Sequence, residues 1–352
     1  MSMDKKKALI TGVTGQDGAY LARFLLDKGY QVFGTFRRVS TPNFWRLQVL
    51  DILDRIELIP ADLIDASSVV EAIELAQPEE IYHLAAQSFV GTSFEQPIAT
   101  GDITGLGTTR FLEAIRQINP RIRFYQASTS ELYGDGNSVP QNEDVPFHPS
   151  SPYAVSKLYA YWITKIYRKS YGIFACNGIL FNHESPLRGL EFVTRKISNA
   201  VARIALGIEC SLSLGNLEAI RDWGYAPEYV SSMWLMLQQD EPDDYVIATH
   251  ESHSVREFAE EAFRLVNLRW QDFVTVDKRF SRPLDVNYLQ GNYTKAYQHL
   301  GWKPEITFNR LVEIMVTEDL NRWKRWQRGE HFPWDASHHL NEARILTRSL
   351  KV

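Results

Sequence analysis

Two segments of the chain carry residue types that together can move a proton on an alcohol. Tyr153 and Lys157 lie four residues apart in SPYAVSK, so a helix would place both on one face. A lysine one turn from a tyrosine lowers the pKa of the phenol so that it accepts a hydroxyl proton. Thr129, at the end of an apolar run, is expected to hydrogen-bond the same hydroxyl. These three residues predict oxidation of an alcohol.

Glu131 follows Thr129 by two residues in QASTSELYG, and alcohol oxidation alone has no use for it. Residues two apart in an extended segment point to the same side, so we expect both at one site. A ketone acidifies the neighbouring C–H, and a carboxylate can remove that proton so that a hydroxyl is lost from the next carbon. Glu131 therefore predicts a dehydratase, in preference to a carboxylate salt-bridged at the sheet edge.

The segment GVTGQDG predicts a dinucleotide site. Gly12, Gly15 and Gly18 follow an apolar run and open a helical pattern, which lets backbone N–H groups approach a pyrophosphate. After the second predicted strand come Arg37 and Arg38, where an acid would hold a ribose 2′-hydroxyl, and arginine there favours NADP. Asp62 and Leu63 follow the third predicted strand, and we expect them to contact the adenine. The segment LAAQS, residues 84–88, follows the fourth, and we expect it to line the nicotinamide side of the groove.

The elements that must position these residues alternate between strands and helices. Apolar runs at 7–12, 31–36, 56–60, 79–86 and 121–128 are separated by helical patterns, which predicts an α/β fold, a Rossmann-type doubly wound parallel sheet. From about Asn182 the alternation weakens. We expect an NADP-binding domain over 1–181, with some later segments crossing back into it. We also expect a smaller α/β nucleotide-sugar-binding lobe over 182–330 and a C-terminal tail over 331–352.

Composition excludes several classes of function. Of 352 residues, 44% are hydrophobic and the formal net charge is −5, so no overall positive field attracts nucleic acid. Cys176 and Cys210 are too few for a disulfide framework, which fits a reducing cytoplasm. No apolar run approaches the ~20 residues that span a membrane. His331, His338 and His339 lack a carboxylate or cysteine at ligand spacing, so no metal is predicted.

Six motifs stand in register from Lys7 to about Pro304: GVTGQDG, ASTSELYG, SPYAVSK, ILFNHESPLRG, FVTRKI and RDWG. With them the chain resembles the GDP-mannose 4,6-dehydratases, a family of extended short-chain dehydrogenase/reductases. The resemblance implies NADP kept bound through the cycle and conversion of GDP-mannose to GDP-4-keto-6-deoxymannose and water. It also implies a homo-oligomer, either dimer or tetramer. Ser130 stands where the related thymidine-diphospho-glucose dehydratases have aspartate, which fits the GDP-sugar branch.

The resemblance also assigns roles to individual residues. It implies catalytic roles for Thr129, Glu131, Tyr153 and Lys157. It implies cofactor contacts from Gly12, Thr14, Gly15, Gln16, Asp17, Arg37, Asp62, Leu63, Leu84, Ala85, Ala86, Ser88, Tyr153, Lys157, His183 and Arg188. It implies substrate contacts from Ser88, Ser130, Asn182, Val193, Lys196, Arg221, Arg282 and Asp285. Arg221 and Arg282 would clamp the pyrophosphate because arginine donates paired hydrogen bonds to a diphosphate.

The chain departs from the family pattern in several places. These are Ala154-Val155-Ser156 inside the Tyr-to-Lys turn, Tyr225 in RDWGYA, Asp285 in SRPLD, and the loop RRVSTPNFWRLQ. Because of the altered loop, the resemblance does not decide between a dimer and a tetramer. The alternative for Arg221 is a purely structural role, in which it pairs with the carboxylate of Asp222.

Other functions remain open from the residues alone. A GDP-heptose dehydratase would use the same chemistry in a roomier pocket. A GDP-sugar 4-epimerase or a 4-keto reductase would share Thr129, Tyr153 and Lys157 but would not need Glu131. A noncatalytic NADP-responsive binding protein would have no reason to keep the proton-transfer pair.

Overall fold

The structure, a computed structural model, describes residues 5–40, 43–135, 139–277 and 286–330. The chain divides into two compact units. As far as they are described, the first comprises the segments 1–184, 220–253 and 284–307, and the second comprises 185–219, 254–283 and 308–352. No helix in these described ranges is long and apolar enough to span a membrane.

The strands are β1 (Lys7–Thr11), β2 (Gln31–Phe36), β3 (Glu57–Pro60), β4 (Glu80–His83), β5 (Arg123–Thr129), β6 (Ala175–Leu180), β7 (Asn182–Glu184), β8 (Leu212–Leu214), β9 (Ile220–Arg221), β10 (Trp223–Tyr225), β11 (Asp244–Ile247), β12 (His253–Ser254) and β13 (Val274–Val276). The helices are α1 (Gln16–Asp27), α2 (Trp45–Val49), α3 (Ala66–Ala76), α4 (Val90–Glu95), α5 (Pro97–Thr100), α6 (Gly107–Ile118), α7 (Pro152–Tyr171), α8 (Val193–Ala205), α9 (Ala226–Leu237), α10 (Val255–Arg264), α11 (Thr294–Leu300) and α12 (Phe308–Gln327). A π-helical turn, Gly101–Leu106, leads into α6.

The first unit is built on a seven-stranded parallel sheet in the order β11-β6-β5-β4-β1-β2-β3. The order reverses beside β1, and in doubly wound sheets the ligand lies at the carboxyl ends of the strands near such a reversal. The register there sets Thr11 of β1 level with Thr35 of β2 and with His83 of β4. The predicted doubly wound parallel sheet is confirmed.

Each face of this sheet is covered by helices whose apolar side chains are buried. On one face α1 and α9 supply residues such as Leu21, Leu25 and Met233 to the core. On the other face α3 and α6 supply residues such as Ile73 and Phe111. Because both faces are covered, residues on both sides of strands such as β1, β5 and β6 are buried, as in other parallel sheets.

The second unit contains α8, α10 and α12 and the parallel pair β8–β13. A buried ion network joins two of its helices. Arg195 of α8 donates from Nε and Nη2 to the Asp319 carboxylate of α12 at 2.9 and 2.7 Å, and Arg322 donates to it at 2.6 Å. Arg195 also donates from Nη1 to the carbonyls of Pro186 and Arg188, which fixes the loop before α8.

Candidate active site

The helix that carries Tyr153 and Lys157 begins where the sequence signals predict. The Ser151 hydroxyl accepts a hydrogen bond from the Ala154 N–H at 3.1 Å, and Pro152 occupies the first helical position. Tyr153 is 8% exposed and Lys157 4%, so both face inward from α7. The Lys157 ammonium lies 6.0 Å from the centre of the Tyr153 ring. The prediction that the two share a helix face is confirmed.

Lys157 joins α7 to the end of β5. Its ammonium donates to the carbonyl of Ala127 at 2.6 Å, two residues before Thr129. Burial lowers the pKa of Lys157 from 10.5 to about 8, and the nearby Asp17 carboxylate opposes part of that shift. Tyr153 lies one turn before Lys157, so the contact brings the start of α7 to the end of β5.

The chain does not remain extended beyond Thr129, and the prediction that Glu131 continues the strand is wrong. Residues Ser130–Leu132 form a 3₁₀ turn, and the Thr129 hydroxyl caps it by accepting the Glu131 N–H at 3.2 Å. Threonine hydroxyls compete with strand pairing in this way. Ser130 is buried and Glu131 half-buried. Thr129 and Glu131 are therefore neighbours across a tight turn.

The GVTGQDG turn fits a bound pyrophosphate. Gly12 has φ +69°, and a Cβ there would lie 3.0 Å from the Cα of Ala85; a Cβ on Gly18 would lie 2.4 Å from the Gly12 carbonyl oxygen. Both positions therefore require glycine. The α1 helix begins after Gly15, and no side chain of the described residues caps it. A helix start without a side-chain cap presents N–H groups to an anion.

His183 lies against the start of α1. Its Nε2 is 2.7 Å from Asp17 Oδ2, and its Nδ1 is 2.7 Å from the carbonyl of Phe181. Both partners are acceptors, so a ring nitrogen that carries hydrogen donates it to one of them. Gln16 also donates to the His183 carbonyl at 3.1 Å. These bonds tie the predicted cofactor residues Gln16, Asp17 and His183 into one cluster.

Thr11 and His83 are site residues that the sequence did not reveal. The Thr11 hydroxyl oxygen accepts the N–H groups of Leu84 and Ala85, each at 3.0 Å, so β4 ends at His83 and not at 86. Its hydrogen is then donated to His83 Nδ1 at 3.0 Å, which leaves the hydrogen of the neutral ring on Nε2. Burial, and secondarily the charge of Lys157, lowers the pKa of His83 to about 3. The segment 84–86 is thus held beside the GVTGQDG turn.

The remaining cofactor candidates occupy the ends of neighbouring strands. Arg37 is exposed just after β2, and Ser88 is exposed after the 84–86 segment. Asp62, after β3, accepts the Ile64 N–H at 3.2 Å. Leu63 is 7% exposed and packs against Gly107. A Cβ added to Gly107 would lie 3.1 Å from the Cβ of Leu63.

Two substrate candidates of the first unit have defined surroundings. Asn182 has a buried Oδ1 with no hydrogen-bond partner among the described residues. Arg221, 8% exposed, donates to the carbonyl of Ile220 at 2.9 Å. Asp222 beside it accepts four hydrogen bonds, from Thr249 N and Oγ1, His250 N and Gly291 N, at 2.7–3.1 Å. Burial raises the pKa of Asp222 to about 6. Its four hydrogen bonds hold together the segments around Asp222, Thr249 and Gly291.

Other candidates belong to the second unit or lie outside the described ranges. Arg188 stacks on Phe192, with its guanidinium 3.6 Å from the ring centre. Val193 begins α8, and burial lowers the pKa of Lys196 one turn later. Arg282 and Asp285, and the tail over 331–352 with its three histidines, lie outside the described residues.

The fold and the Tyr153–Lys157 pair define an extended short-chain dehydrogenase/reductase. A solved structure of dTDP-glucose 4,6-dehydratase from Bacillus anthracis, in complex with NAD, shares this fold with a TM-score of 0.79 at 21% identity, over 92% of this chain and 100% of that one. A family model described as GDP-mannose 4,6 dehydratase matches residues 9–315. GDP-mannose 4,6 dehydratase 1 of Arabidopsis thaliana is 51% identical over 331 residues, 91% of each chain. The GDP-mannose 4,6 dehydratase of Homo sapiens is 50% identical over 347 residues, 91% of this chain and 93% of its own. The chain belongs to the GDP-mannose 4,6-dehydratase family.

Proposed function

We propose that the protein catalyses the NADP-dependent dehydration of GDP-D-mannose to GDP-4-keto-6-deoxy-D-mannose. The relatives that are half identical over nine tenths of the chain are named for this reaction. The observation that carries the proposal within the molecule is the 2.6 Å contact between Lys157 and the Ala127 carbonyl. It holds the proton-transfer pair of α7 against the strand end that bears Thr129, and Glu131 lies in the turn that follows.

Tyr153 and Thr129 act on the C4 hydroxyl of the sugar. The Tyr153 phenolate accepts the hydroxyl proton while the Thr129 hydroxyl orients the same oxygen. Lys157 stabilises the phenolate because its ammonium is buried close to the ring, where little water screens the charge. NADP, held by the GVTGQDG turn, would supply the hydride acceptor for C4 and the hydride donor for C6.

Glu131 is the base that makes the reaction a dehydration. Its carboxylate removes the C5 proton, which the C4 ketone has made acidic, and the resulting carboxylic acid gives that proton to the C6 hydroxyl, which leaves as water. Solvent supplies the proton that C5 later receives. A 4-epimerase or a 4-keto reductase has no step that needs this base.

The choice of NADP is supported by the basic residues that follow β2. Arg37 is exposed where the strand ends, in a sequence with no acidic side chain from 37 to 50. An arginine at this position accommodates a 2′-phosphate, whereas an acid would repel it. Two cysteines that are both unpaired, Cys176 and Cys210, support a cytoplasmic location.

A homo-oligomer is supported by one face of α7. Val155, Tyr159, Trp162 and Ile166 recur at helical spacing, and 42–54% of each residue is exposed. A contiguous apolar stripe of this kind marks an interaction surface, and we propose that it packs against the same stripe of a second copy. Trp162→Glu is expected to shift the protein to monomer, measured by light scattering after gel filtration. An unchanged mass would refute this placement.

The decisive experiment is incubation with GDP-mannose in deuterium oxide without added cofactor, followed by NMR and mass spectrometry. A 4-keto-6-deoxy product with deuterium at C5 would support dehydration, internal hydrogen return and C5 proton removal together. If cofactor addition is needed, the NADP site was emptied on purification. If GDP-mannose fails with NADP present but a GDP-heptose reacts, the substrate proposal is wrong while the mechanism stands.

Glu131→Gln isolates the base. Turnover should fall by about 100- to 10,000-fold, as loss of a positioned base does, while GDP-sugar affinity stays within about threefold. Asp135→Asn is the matched control, a carboxylate four residues further on that accepts the Asn287 N–H at 3.2 Å. It should retain turnover within about threefold. Equal effects of the two changes would remove the role assigned to Glu131.

A further inference from the structure

The segment after β2 returns to the start of the same strand–turn–helix unit. Phe36, the last residue of β2, packs edge to face on Phe44, with ring centres 5.1 Å apart. The short helix α2 follows at once, and its Trp45 and Leu47 are 7% and 0% exposed. These apolar anchors fix α2 against the body of the first unit, although helices this short have little stability of their own.

Anchored in this way, α2 delivers a third arginine to the GVTGQDG turn. Arg46 is half-buried, and its Nη1 donates to the carbonyl of Thr14 at 3.0 Å. Its guanidinium carbon lies 4.5 Å from the centre of the Trp45 ring, and this stacking limits the rotamers of the side chain. A hydrogen bond and a ring contact therefore both help to set the position of the cation.

The turn that Arg46 touches adjoins the end of β2. The N–H of Val13, next to Thr14, donates to the carbonyl of Thr35 at 3.3 Å, and Arg37 follows Thr35 by two residues. In a dinucleotide-binding unit, the residue just beyond the second strand reads the ribose 2′-position. Arg46 thus lies at the junction between the phosphate-binding turn and the 2′-position.

We propose that Arg46 is a cofactor-binding residue that, together with Arg37, binds the adenosine 2′-phosphate. This inference rests on the proposed use of NADP. Arg37 is exposed, so its charge is screened by water, whereas Arg46 is half-buried and oriented by Trp45. Arg46 therefore supplies the larger part of the discrimination between NADP and NAD. A guanidinium suits this task because its planar fork matches phosphate oxygens.

The test is the affinity of the nucleotide-free protein for NADPH and for NADH, measured by nicotinamide fluorescence. Arg46→Met keeps the length and apolar stem of the side chain and removes the charge. It should weaken NADPH about 10- to 100-fold, the usual effect of losing a charge-assisted hydrogen bond, and change NADH by less than about threefold. Retained NADH binding shows that the variant is folded. The NADPH affinity of Arg46→Lys should lie between those of the wild-type protein and Arg46→Met, because lysine keeps the charge but lacks the planar guanidinium.

Arg23→Met is the matched control. Arg23 also donates to a backbone carbonyl, that of Leu50 at 2.8 Å just after α2, but it is paired with Asp27. It should leave both affinities unchanged.

The failures are distinguishable. If the wild-type protein binds NADH as tightly as NADPH, the proposed cofactor is wrong, and this inference falls with it. If the wild-type protein prefers NADPH but Arg46→Met weakens both cofactors equally, Arg46 only braces the Thr14 turn. If Arg46→Met leaves both affinities unchanged, another group binds the phosphate.

Discussion

Replacing Lys157 by methionine should make the cofactor-free protein more stable at neutral pH while abolishing catalysis. The reason is the cost of holding a buried ammonium. Its pKa falls from 10.5 to about 8, mainly through burial, and each unit of pKa corresponds to about 1.4 kcal/mol. The folded state therefore bears a cost of about 3 kcal/mol. Methionine fills a similar volume with no charge to desolvate.

The gain is reduced by the lost hydrogen bond to Ala127, which contributes about 1 kcal/mol. The Ala127 carbonyl is not orphaned, because the Gln126 side chain also donates to it at 3.1 Å. The expected net gain at pH 7 is about 2 kcal/mol in the free energy of unfolding.

The gain must depend on pH. Below pH 8 both folded and unfolded chains hold the lysine proton, so the cost is fully present. Between about pH 8 and 10.5 only the unfolded chain holds it, and the stability of the wild-type protein rises relative to the variant. By pH 10.5 the advantage should have vanished.

Urea unfolding of the cofactor-free proteins, followed by circular dichroism at pH 7 and 10.5, measures this difference. Lys165→Met on the same helix is the control. Lys165 lies 3.2 Å from the Asp244 carboxylate, so its loss should not stabilise the protein at either pH. A less stable Lys157→Met at pH 7, or the same gain at both pH values, would refute the reasoning.

Other predictions concern residues that position the site or join its elements. Thr11→Val should lower the free energy of unfolding by about 1–3 kcal/mol in urea titrations, because two N–H groups of the 84–86 segment lose their acceptor, and Thr11→Ser should recover most of it. Complete tolerance of valine would exclude this role. Asp319→Asn should cost about 3–5 kcal/mol, since the buried cations Arg195 and Arg322 lose their counter-charge. A loss below about 1 kcal/mol, measured the same way, would contradict that network.

The parts of the fold and site that depend on local sequence were predictable. Apolar runs separated by helical periodicity were enough to predict the parallel sheet, and glycine spacing located the GVTGQDG turn at the start of α1. The four-residue spacing of Tyr153 and Lys157 placed them on one helix face, which needs no tertiary information.

What the sequence did not reveal depends on contacts between distant residues. The Thr11 hydroxyl accepts a hydrogen bond from Leu84, and the Asp222 carboxylate accepts hydrogen bonds from Thr249 and Gly291, contacts that form only when the chain has folded. The turn at Ser130–Leu132 was missed for another reason. Alternation suggested a continuing strand, but the Thr129 hydroxyl offered the Glu131 N–H a nearer acceptor.

The edge strand β11 has a bearing on how the chain is made. Its residues Asp244–Ile247 are buried, and among the strands that the structure describes they pair with Asn177–Leu180 of β6 alone, at the margin of the sheet. At roughly 5–20 residues per second, the ribosome takes on the order of 10 s to pass from Leu180 to Asp244. During that interval β6 presents an apolar edge with open hydrogen-bonding groups, a template for pairing with another nascent chain. Molecular chaperones that cover this edge should therefore raise the yield of folded protein, and chains that terminate before Asp244 should aggregate.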